Sequence, residues 1–171
     1  PPTVMGFFLL LIFGVNQPIG SFFLNILGVR IAFSFSATVI AAVVISFPIM
    51  YRSARGALEQ VDTDLVDAAR TLGMSETSIF FKVLVPNALP GIISGGVLSF
   101  ARGLGEFGAT AMLAGNIVGK TRTLPLAVYS EVVSNDMHSA SFYVVVIIVI
   151  CFTAVILLNI YQLWVKKKRG F

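Results

Sequence analysis

Two ionisable residues, Arg102 and Glu106, lie four positions apart in an otherwise apolar stretch of the sequence. Residues with this spacing share one face of an α-helix, so the guanidinium and the carboxylate can pair. A charge at membrane depth is costly and is usually functional. Two interpretations stay open: a buried pair that fixes the helix in register, or a gate in which Arg102 faces an anionic substrate. Arg102 can face an oxyanion only where Glu106 does not neutralise it.

Other reactive side chains are too scattered to form a catalytic or metal site. His138 and Cys151 are the only residues of their types, and the carboxylates provide neither a nucleophile–base pair nor a ligand cluster. Residues 114–121 read A-G-N-I-V-G-K-T, which matches the phosphate-binding pattern G-x4-G-K-[ST] except at Ala114. That pattern binds phosphate when it follows a strand, whereas here an apolar helix is expected. The sequence predicts no catalytic residues, no metal and no cofactor.

The composition is typical of a membrane protein with several spans. Of the 171 residues, 57% are hydrophobic and 12% are charged, with a mean hydropathy of +0.92, whereas soluble domains carry about 25% charged residues. The sequence therefore predicts an all-α, polytopic membrane protein. The net charge of +4 does not indicate nucleic acid, because four of the twelve basic residues form the tail 166–169. A basic cluster after an apolar helix favours a cytoplasmic anchor, here with Trp164 at the membrane interface.

Uncharged runs predict the spans. The clearest are 31–51 and 139–165, with a third at 88–113 that Arg102 and Glu106 interrupt. Shorter elements are expected at 4–13, which could begin at Pro2, at 21–29 and at 124–133. Polar residues concentrate at 52–82, which holds nine of the twenty charges and belongs in water.

Two short helices are expected within this polar segment. One covers 65–72, preceded by Asp64 and ended by Gly73 in a left-handed conformation. Ser75 is expected to cap the second helix. Pro86 and Pro90 are expected to mark the return of the chain to the membrane.

The distribution of basic residues predicts the orientation. The tail places residue 166 inside, and counting spans backwards puts Ser139 outside, 52–87 inside and 14–30 outside. The outer segments hold Arg30, Lys120 and Arg122.

Small residues recur every fourth position in two spans. One set is Gly91, Gly95, Ser99 and Gly103, and the other is Ser34, Thr38, Ala42 and Ser46. Such stripes let helix backbones approach closely. Ordinary bundle packing explains them, and a moving subunit interface or a pore lining is the functional alternative.

The polar segment resembles the EAA loop of ABC importer permeases, whose pattern is E-A-A-x3-G-x9-I-x-L-P. Asp67, Ala68, Ala69, Gly73 and Pro86 keep its spacing, with Asp67 in place of Glu and with Val83 and Val85 in place of Ile and Leu. The resemblance implies that 52–87 is a cytoplasmic loop that docks on an ATPase subunit. The transport path is then in this chain and the ATP hydrolysis in another, so the chain itself is not an enzyme.

The segment from Gly105 to Tyr129, with G-E-F-G and A-G-N-I, resembles the molybdate branch of oxyanion importers. The resemblance implies a type I ABC importer permease with the MetI-like helix bundle. Residues 1–171 would form a single permease domain without its N-terminal helices. Ser99, Arg102, Glu106 and Thr110 are candidates for the translocation path or its gate.

The implied partners are a second permease copy in a homodimer, two cytoplasmic ATPase subunits, an extracytoplasmic oxyanion-binding protein and membrane lipid. The implied location is the inner membrane of a prokaryote, with a cytoplasmic C-terminus. The substrate would be molybdate or tungstate. A sulfate or thiosulfate permease is the close alternative. A passive channel is an alternative of another class, although a channel would not need an EAA loop.

Overall fold

The computed structural model describes residues 1–169, and within that range it leaves undescribed the side chains of Leu158, Gln162 and 164–169. The predicted anchor at Trp164 and the basic tail lies outside the described side chains. The described residues form α-helices and one π-helical turn without any strand, which confirms the all-α prediction. The helices are α1 (Pro2–Phe13), α2 (Pro18–Leu27), α3 (Phe35–Glu59), α4 (Thr63–Thr71), α5 (Glu76–Ile79), α6 (Val85–Leu104), α7 (Gly108–Leu113), α8 (Leu124–Val133) and α9 (Met137–Arg169).

Three helical runs are long and apolar enough to cross a membrane: Phe35–Glu59, Glu76–Leu104 and Met137–Tyr161. Helices α1 and α2 meet at an angle of 52° and together satisfy the same criteria, so they form either a broken span or a re-entrant pair. The short helix expected at 124–133 is confirmed as α8. The first helix does begin at Pro2, because proline is well suited to the first turn of a helix.

The span expected at 31–51 is displaced toward the C-terminus. Helix α3 begins at Phe35 and continues to Glu59, two turns into the segment predicted to be polar loop. An ion pair between Arg55 and Glu59, with nitrogen and oxygen 2.7 Å apart, lies on this extension. Charged residues four apart support a helix once the apolar run has started it, and this explains why the helix outlasts its apolar part.

Pro86 and Pro90, which were expected to mark the return of the chain to the membrane, both lie inside a continuous helical run. Helix α5 passes through a π-helical turn, Phe80–Leu84, directly into α6. Proline has no N–H and its ring crowds the carbonyl four residues earlier. The wider π turn, in which the Val85 N–H bonds the carbonyl of Phe80, precedes Pro86 and accommodates this crowding.

The span expected at 88–113 ends early. Helix α6 stops at Leu104, and α7 is a separate helix of six residues after a break at 105–107. The apolar pattern continues across the break, and hydropathy alone therefore does not reveal it.

The chain forms two compact units. One comprises Pro1–Ser46 and Ala101–Phe152, and the other comprises Phe47–Phe100 with α9 from Thr153 onward. The core of the first unit joins α1, α3 and α7. Its buried side chains are Leu9, Ala37, Ala41, Ala109, Leu113 and Ala114.

Glycine brings α1 and α7 into backbone contact in the first unit. A Cβ added to Gly6 would lie 2.7 Å from the Cα of Ala109, and one added to Gly108 would lie 2.9 Å from the Thr3 methyl carbon. Real Cβ atoms do not approach so closely, so both positions require glycine. Glycines on both helices, Gly6 on α1 and Gly108 on α7, therefore allow the close contact between α1 and α7.

The small-residue stripe of α6 packs against α3 in each unit. In the first unit, Gly103 faces Ala42, with 3.6 Å between the Ala42 Cβ and a Cβ added to Gly103. In the second unit, Gly91 meets Ala57 and Gly95 meets Ser53. Two of these partners belong to the extension of α3 that the sequence had assigned to the polar loop. The stripe was predicted, but two of these three partner residues were not.

We expect Gly6→Ala to destabilise the protein, because its methyl group would meet the backbone of α7. Overpacking of this kind costs about 1–3 kcal/mol. Gly56→Ala is the matched control, since a Cβ there meets nothing within 4 Å and alanine favours a helix over glycine by about 1 kcal/mol. Thermal unfolding in detergent should show a lower midpoint for Gly6→Ala only. Equal midpoints for the two variants would contradict the described α1–α7 contact.

Candidate functional site

The EAA-like segment folds into a helix–turn–helix elbow made of α4 and α5. Helix α4 begins one residue after Asp62, whose carboxylate accepts a hydrogen bond of 2.9 Å from the Asp64 N–H. The expectation that Asp64 precedes a helix over 65–72 is therefore wrong by two residues, because Asp62 is the capping residue. The predicted cap of the second helix is confirmed, since the Ser75 hydroxyl accepts from the Ser78 N–H at 3.4 Å.

Arg70 holds the two arms of the elbow together. Its Nε and Nη2 donate to the two carboxylate oxygens of Glu76 at 2.7 and 3.1 Å, and its Nη1 donates to Asp67 at 3.0 Å. These hydrogen bonds, first those with Glu76 and then those with Asp67, raise the pKa of Arg70 above its ordinary value. The bidentate geometry fixes direction as well as distance, so Arg70 links α4 to α5 across the turn.

Gly73 turns the chain between the arms with a φ of +76°. Its N–H bonds the Arg70 carbonyl, and the Met74 N–H bonds the Ala69 carbonyl. This closes α4 in the left-handed manner predicted from the sequence. A Cβ added to Gly73 would touch nothing within 4 Å, so the backbone conformation alone calls for glycine.

The Ala-Ala pair divides between the inside and the outside of the elbow. Ala69 is buried, whereas Asp67 and Ala68 are exposed. Leu65 and Leu72 are also exposed, and Leu72 retains 81% of its accessible surface.

Pro86 lies apart from the elbow on the second residue of α6. A cavity of about 290 Å³ lies in the same compact unit, between the end of α3, the start of α4 and the start of α6. It is lined by Ala57, Gln60, Val61, Asp62, Leu65, Asn87, Ala88 and Gly91. Because α4 borders this cavity, it is not packed on every side.

Glu106 ties the end of α6 to the start of α7. One carboxylate oxygen accepts from Arg102 Nη1 at 2.8 Å, and the other accepts from the Ala109 N–H at 2.8 Å. The Glu106 side chain is only 2% exposed, while that of Arg102 is 35% exposed. The two residues pair as their spacing predicts, although Glu106 lies beyond the end of the helix that carries Arg102.

The two remaining path candidates are both buried. Thr110 lies on α7, and 1% of its surface is exposed. Ser99 lies on α6 in the other compact unit, 7% exposed, and its hydroxyl has no hydrogen-bond partner within the described part of the chain. The structure thus joins Arg102 and Glu106 by an ion pair, and among the described residues no hydrogen bond links either of them to Thr110.

Sequence reasoning missed Arg70 as the centre of the elbow. The available signal was its position three residues after Asp67 and six before Glu76. Only the left-handed turn at Gly73 brings Glu76 back to Arg70, so spacing alone would not have identified this pair.

Residues 114–121, which resemble a phosphate-binding loop, follow helix α7 instead of a strand. The Thr121 hydroxyl, which would bind a metal ion in a true phosphate loop, accepts a hydrogen bond of 3.0 Å from the Ile117 N–H. The loop therefore uses this hydroxyl for its own structure. No group of three or more potential metal ligands occurs among the residues searched within 1–169.

An all-helical chain with three helical runs long and apolar enough to cross a membrane has the architecture of a multi-pass membrane protein. It belongs to the family of binding-protein-dependent transport system inner membrane components, which matches residues 1–169. The family fold is that of the type I ABC importer permeases, as the resemblance implied.

Individual relatives are similar over most of this chain. YvgM of Bacillus subtilis is 45% identical over 152 residues, covering 89% of this chain and 67% of that protein. The molybdenum transport system permease protein ModB of Escherichia coli K12 is 50% identical over 130 residues, 76% of this chain and 57% of ModB. The sulfate transport system permease protein CysW of Synechocystis is 35% identical over 161 residues, 94% of this chain and 58% of CysW. The chain thus spans between half and two thirds of these relatives.

We expect Arg102→Ala to destabilise the protein more than Glu106→Ala. Without Arg102 the carboxylate of Glu106 stays buried and unpaired, which costs about 3–5 kcal/mol. Without Glu106 the partly exposed guanidinium can reach a polar environment, and an unpaired Ala109 N–H costs about 1–3 kcal/mol. Thermal unfolding of both variants and of the double variant measures these costs, and the double variant should be milder than Arg102→Ala.

Glu106→Gln provides the control, because its amide oxygen can still accept from the Ala109 N–H while the charge is gone. Arg102→Ala should then cost much less in the Glu106→Gln background. An equal cost in both backgrounds would show that the pair does not interact.

Proposed function

We propose that this chain is the membrane-spanning permease subunit of an ATP-driven importer of molybdate or tungstate. It contributes the path for the oxyanion, and separate subunits hydrolyse ATP. The observation that carries the proposal is 50% identity to the molybdenum permease ModB together with the folded elbow at the position of the EAA loop.

The choice of oxyanion rests on the relatives. ModB proteins of Escherichia coli and Haemophilus influenzae are 50% and 45% identical to this chain, whereas the sulfate permease CysW is 35% identical. A sulfate or thiosulfate permease is the second candidate, supported by the 94% of the chain that the CysW match covers.

The elbow is the surface through which ATP hydrolysis would act on this chain. Arg70 links α4 to α5, and Leu72, Asp67 and Ala68 are exposed on the elbow. We place 52–87 in the cytoplasm, where Leu72 enters an apolar pocket of the ATPase subunit and Asp67 lies at the rim of the contact. In the proposed complex the permease is a homodimer, and the elbow of each copy contacts one of two ATPase subunits. The same orientation places the C-terminus in the cytoplasm.

On the proposed function, the translocation path has no site that binds an anion tightly. Among the described residues of the spans, Arg102 is the cation nearest the interior of the apolar run, and Glu106 already neutralises one edge of its guanidinium. Its exposed remainder can attract an oxyanion weakly, and Ser99 and Thr110 can contribute hydroxyls only when their surroundings open. A transporter must release its cargo in every cycle, so weak contacts suit it. Selectivity then resides in an extracytoplasmic binding protein.

Uptake into vesicles tests the function. The complete transporter is reconstituted with ATP inside and the binding protein outside, and molybdate uptake is measured with tungstate or sulfate as competitor. We expect uptake that requires both ATP and the binding protein and that tungstate inhibits more strongly than sulfate. Uptake of sulfate alone would support the second candidate. Uptake without ATP would indicate a passive channel.

We further expect Gly73→Val to uncouple ATP hydrolysis from transport. A non-glycine residue in the left-handed conformation costs about 1–2 kcal/mol, and a β-branched one costs more. The misdirected elbow should lower uptake about tenfold at unchanged membrane abundance, since a loss of 1.4 kcal/mol in docking corresponds to a factor of ten.

Gly73→Asn is the control for Gly73→Val, because asparagine tolerates the left-handed region better. It should retain most of the uptake. Open space surrounds Gly73, so an effect of side-chain size on uptake would be similar for valine and asparagine. Normal uptake by Gly73→Val would refute the coupling role.

A further inference from the structure

Helix α2 carries a stripe of exposed apolar side chains on one face. Its members recur three and four positions apart and are Ile19, Phe22 and Ile26, which are 45%, 55% and 65% exposed. Ser21 and Asn25 lie along one edge of this stripe. Gly20, on the opposite face, packs against the end of α1, where an added Cβ would collide with two carbonyl groups. The stripe therefore points away from the described part of the protein.

The break between α1 and α2 indicates how deep α2 lies. Residues 14–17 read G-V-N-Q, and Asn16 is exposed. Polar groups without partners are costly within the apolar layer of a membrane, so the break is expected near the membrane surface. The helices bend by 52° there, and the ten residues of α2 advance only about 9 Å along the direction of α1. An interfacial helix lies at a similar depth, about 5–10 Å.

A single cation follows the stripe. Arg30 is the only charged residue within 1–51, and no acidic residue precedes Glu59. Arg30 is exposed, and it forms no ion pair with any residue that the structure describes. Leu27 and Val29 beside it are 58% and 48% exposed. A guanidinium among exposed apolar side chains is complementary to a phospholipid, whose phosphate lies above its acyl chains.

The backbone is fixed on both sides of Arg30. Before it, the Val29 N–H bonds the Phe23 carbonyl of α2 at 3.2 Å. After it, Ile31 and Ala32 are buried, with 8% and 1% of their surfaces exposed. A binding group on a fixed backbone loses less conformational freedom when it takes a partner. The guanidinium is thus held beside the end of α2, on the outside of its compact unit.

We propose that α2 lies obliquely in the membrane–water interface, with its apolar stripe among the acyl chains, and that Arg30 binds the phosphate of an anionic phospholipid. A guanidinium can donate two parallel hydrogen bonds to a phosphate group. One phospholipid supplies both the apolar cover and the charge, whereas a protein partner would need an apolar surface with a carboxylate at the matching place. On the proposed orientation this lipid belongs to the outer leaflet. The inference does not depend on which oxyanion is transported, and its tests need no transport.

Spin labelling tests the position of α2. In a complete transporter carrying Cys151→Ala and otherwise free of cysteine, nitroxides are attached at Phe22→Cys, Ile26→Cys and, as the control on the polar edge, Asn25→Cys. In phospholipid nanodiscs we expect the first two labels to collide more often with oxygen than with a water-soluble nickel chelate, and Asn25→Cys to meet the chelate more often. Equal access of the chelate at all three positions would place the stripe in water and overturn the proposal. Shielding of Phe22→Cys and Ile26→Cys from both reagents would assign the stripe to a second protein chain instead.

Fluorescence quenching tests the role of Arg30. In the same background, a bimane label at Leu27→Cys is quenched by phosphatidylglycerol with brominated chains, mixed into phosphatidylcholine vesicles. We expect a preference for phosphatidylglycerol of about fivefold, the factor that one cation contributes near an anionic surface. Arg30→Gln should abolish this preference, and Arg30→Lys should retain most of it. Val149→Cys is the matched control, because Val149 is 57% exposed on α9, and Arg30→Gln should leave its quenching unchanged. An unaltered preference at Leu27→Cys with Arg30→Gln, or an equal loss at both labelled positions, would overturn the phosphate site.

Discussion

Buried backbone N–H and C=O groups need hydrogen-bond partners, and the break between α6 and α7 leaves such groups without the bonds of a continuous helix. Glu106 supplies the partner at the start of α7 by accepting from the Ala109 N–H. At the other end, the Leu113 carbonyl accepts from the Phe33 N–H at 3.0 Å. A six-residue helix has little stability of its own. These two anchors and the glycine contact with α1 therefore hold it, and the core of its unit is built around it.

The same carboxylate governs the charge of the region. Glu106 needs a cation because it is almost fully buried, and Arg102 provides one at 2.8 Å. Because part of the Arg102 guanidinium is bonded to Glu106 at the break between α6 and α7, only the rest of it is available to an anion. The structural and functional interpretations of the pair, which the sequence left as alternatives, are thus compatible. Glu106 has a structural contact on each oxygen, while Arg102 has one edge in the pair and a partly exposed remainder.

Patterns within one helix were predictable from the sequence, and features that depend on distant segments were not. The cap at Ser75, the left-handed turn at Gly73 and the helix at 124–133 follow from local residue types. The end of α6 at Leu104 does not, because the apolar pattern runs on and only packing against α1 shows that Gly108 starts a new helix. Likewise, Pro86 and Pro90 were expected to mark the return of the chain to the membrane, but the sequence did not reveal the π turn that joins α5 to α6 just before them. Arg70 was missed because its partner Glu76 reaches it only after the chain has turned.

Two features suggest how a movement of the elbow would be transmitted: the small residues between α3 and α6, and the continuous helical run from α5 through α6. Helix packing in a membrane comes from close backbone approach, because lipid already solvates apolar side chains. The α3–α6 contacts at Gly91 and Gly95 are of this kind, because the Ala57 and Ser53 side chains occupy the space that a Cβ at these glycines would need. The elbow leads without interruption into the run Glu76–Leu104, which also carries Arg102. On the proposed function, a displacement of α5 therefore reaches the helix of the path through the backbone itself. The π turn lies between the elbow and the prolines, and such turns often mark functional sites. A change in the bending of this turn is the smallest movement that would couple the two.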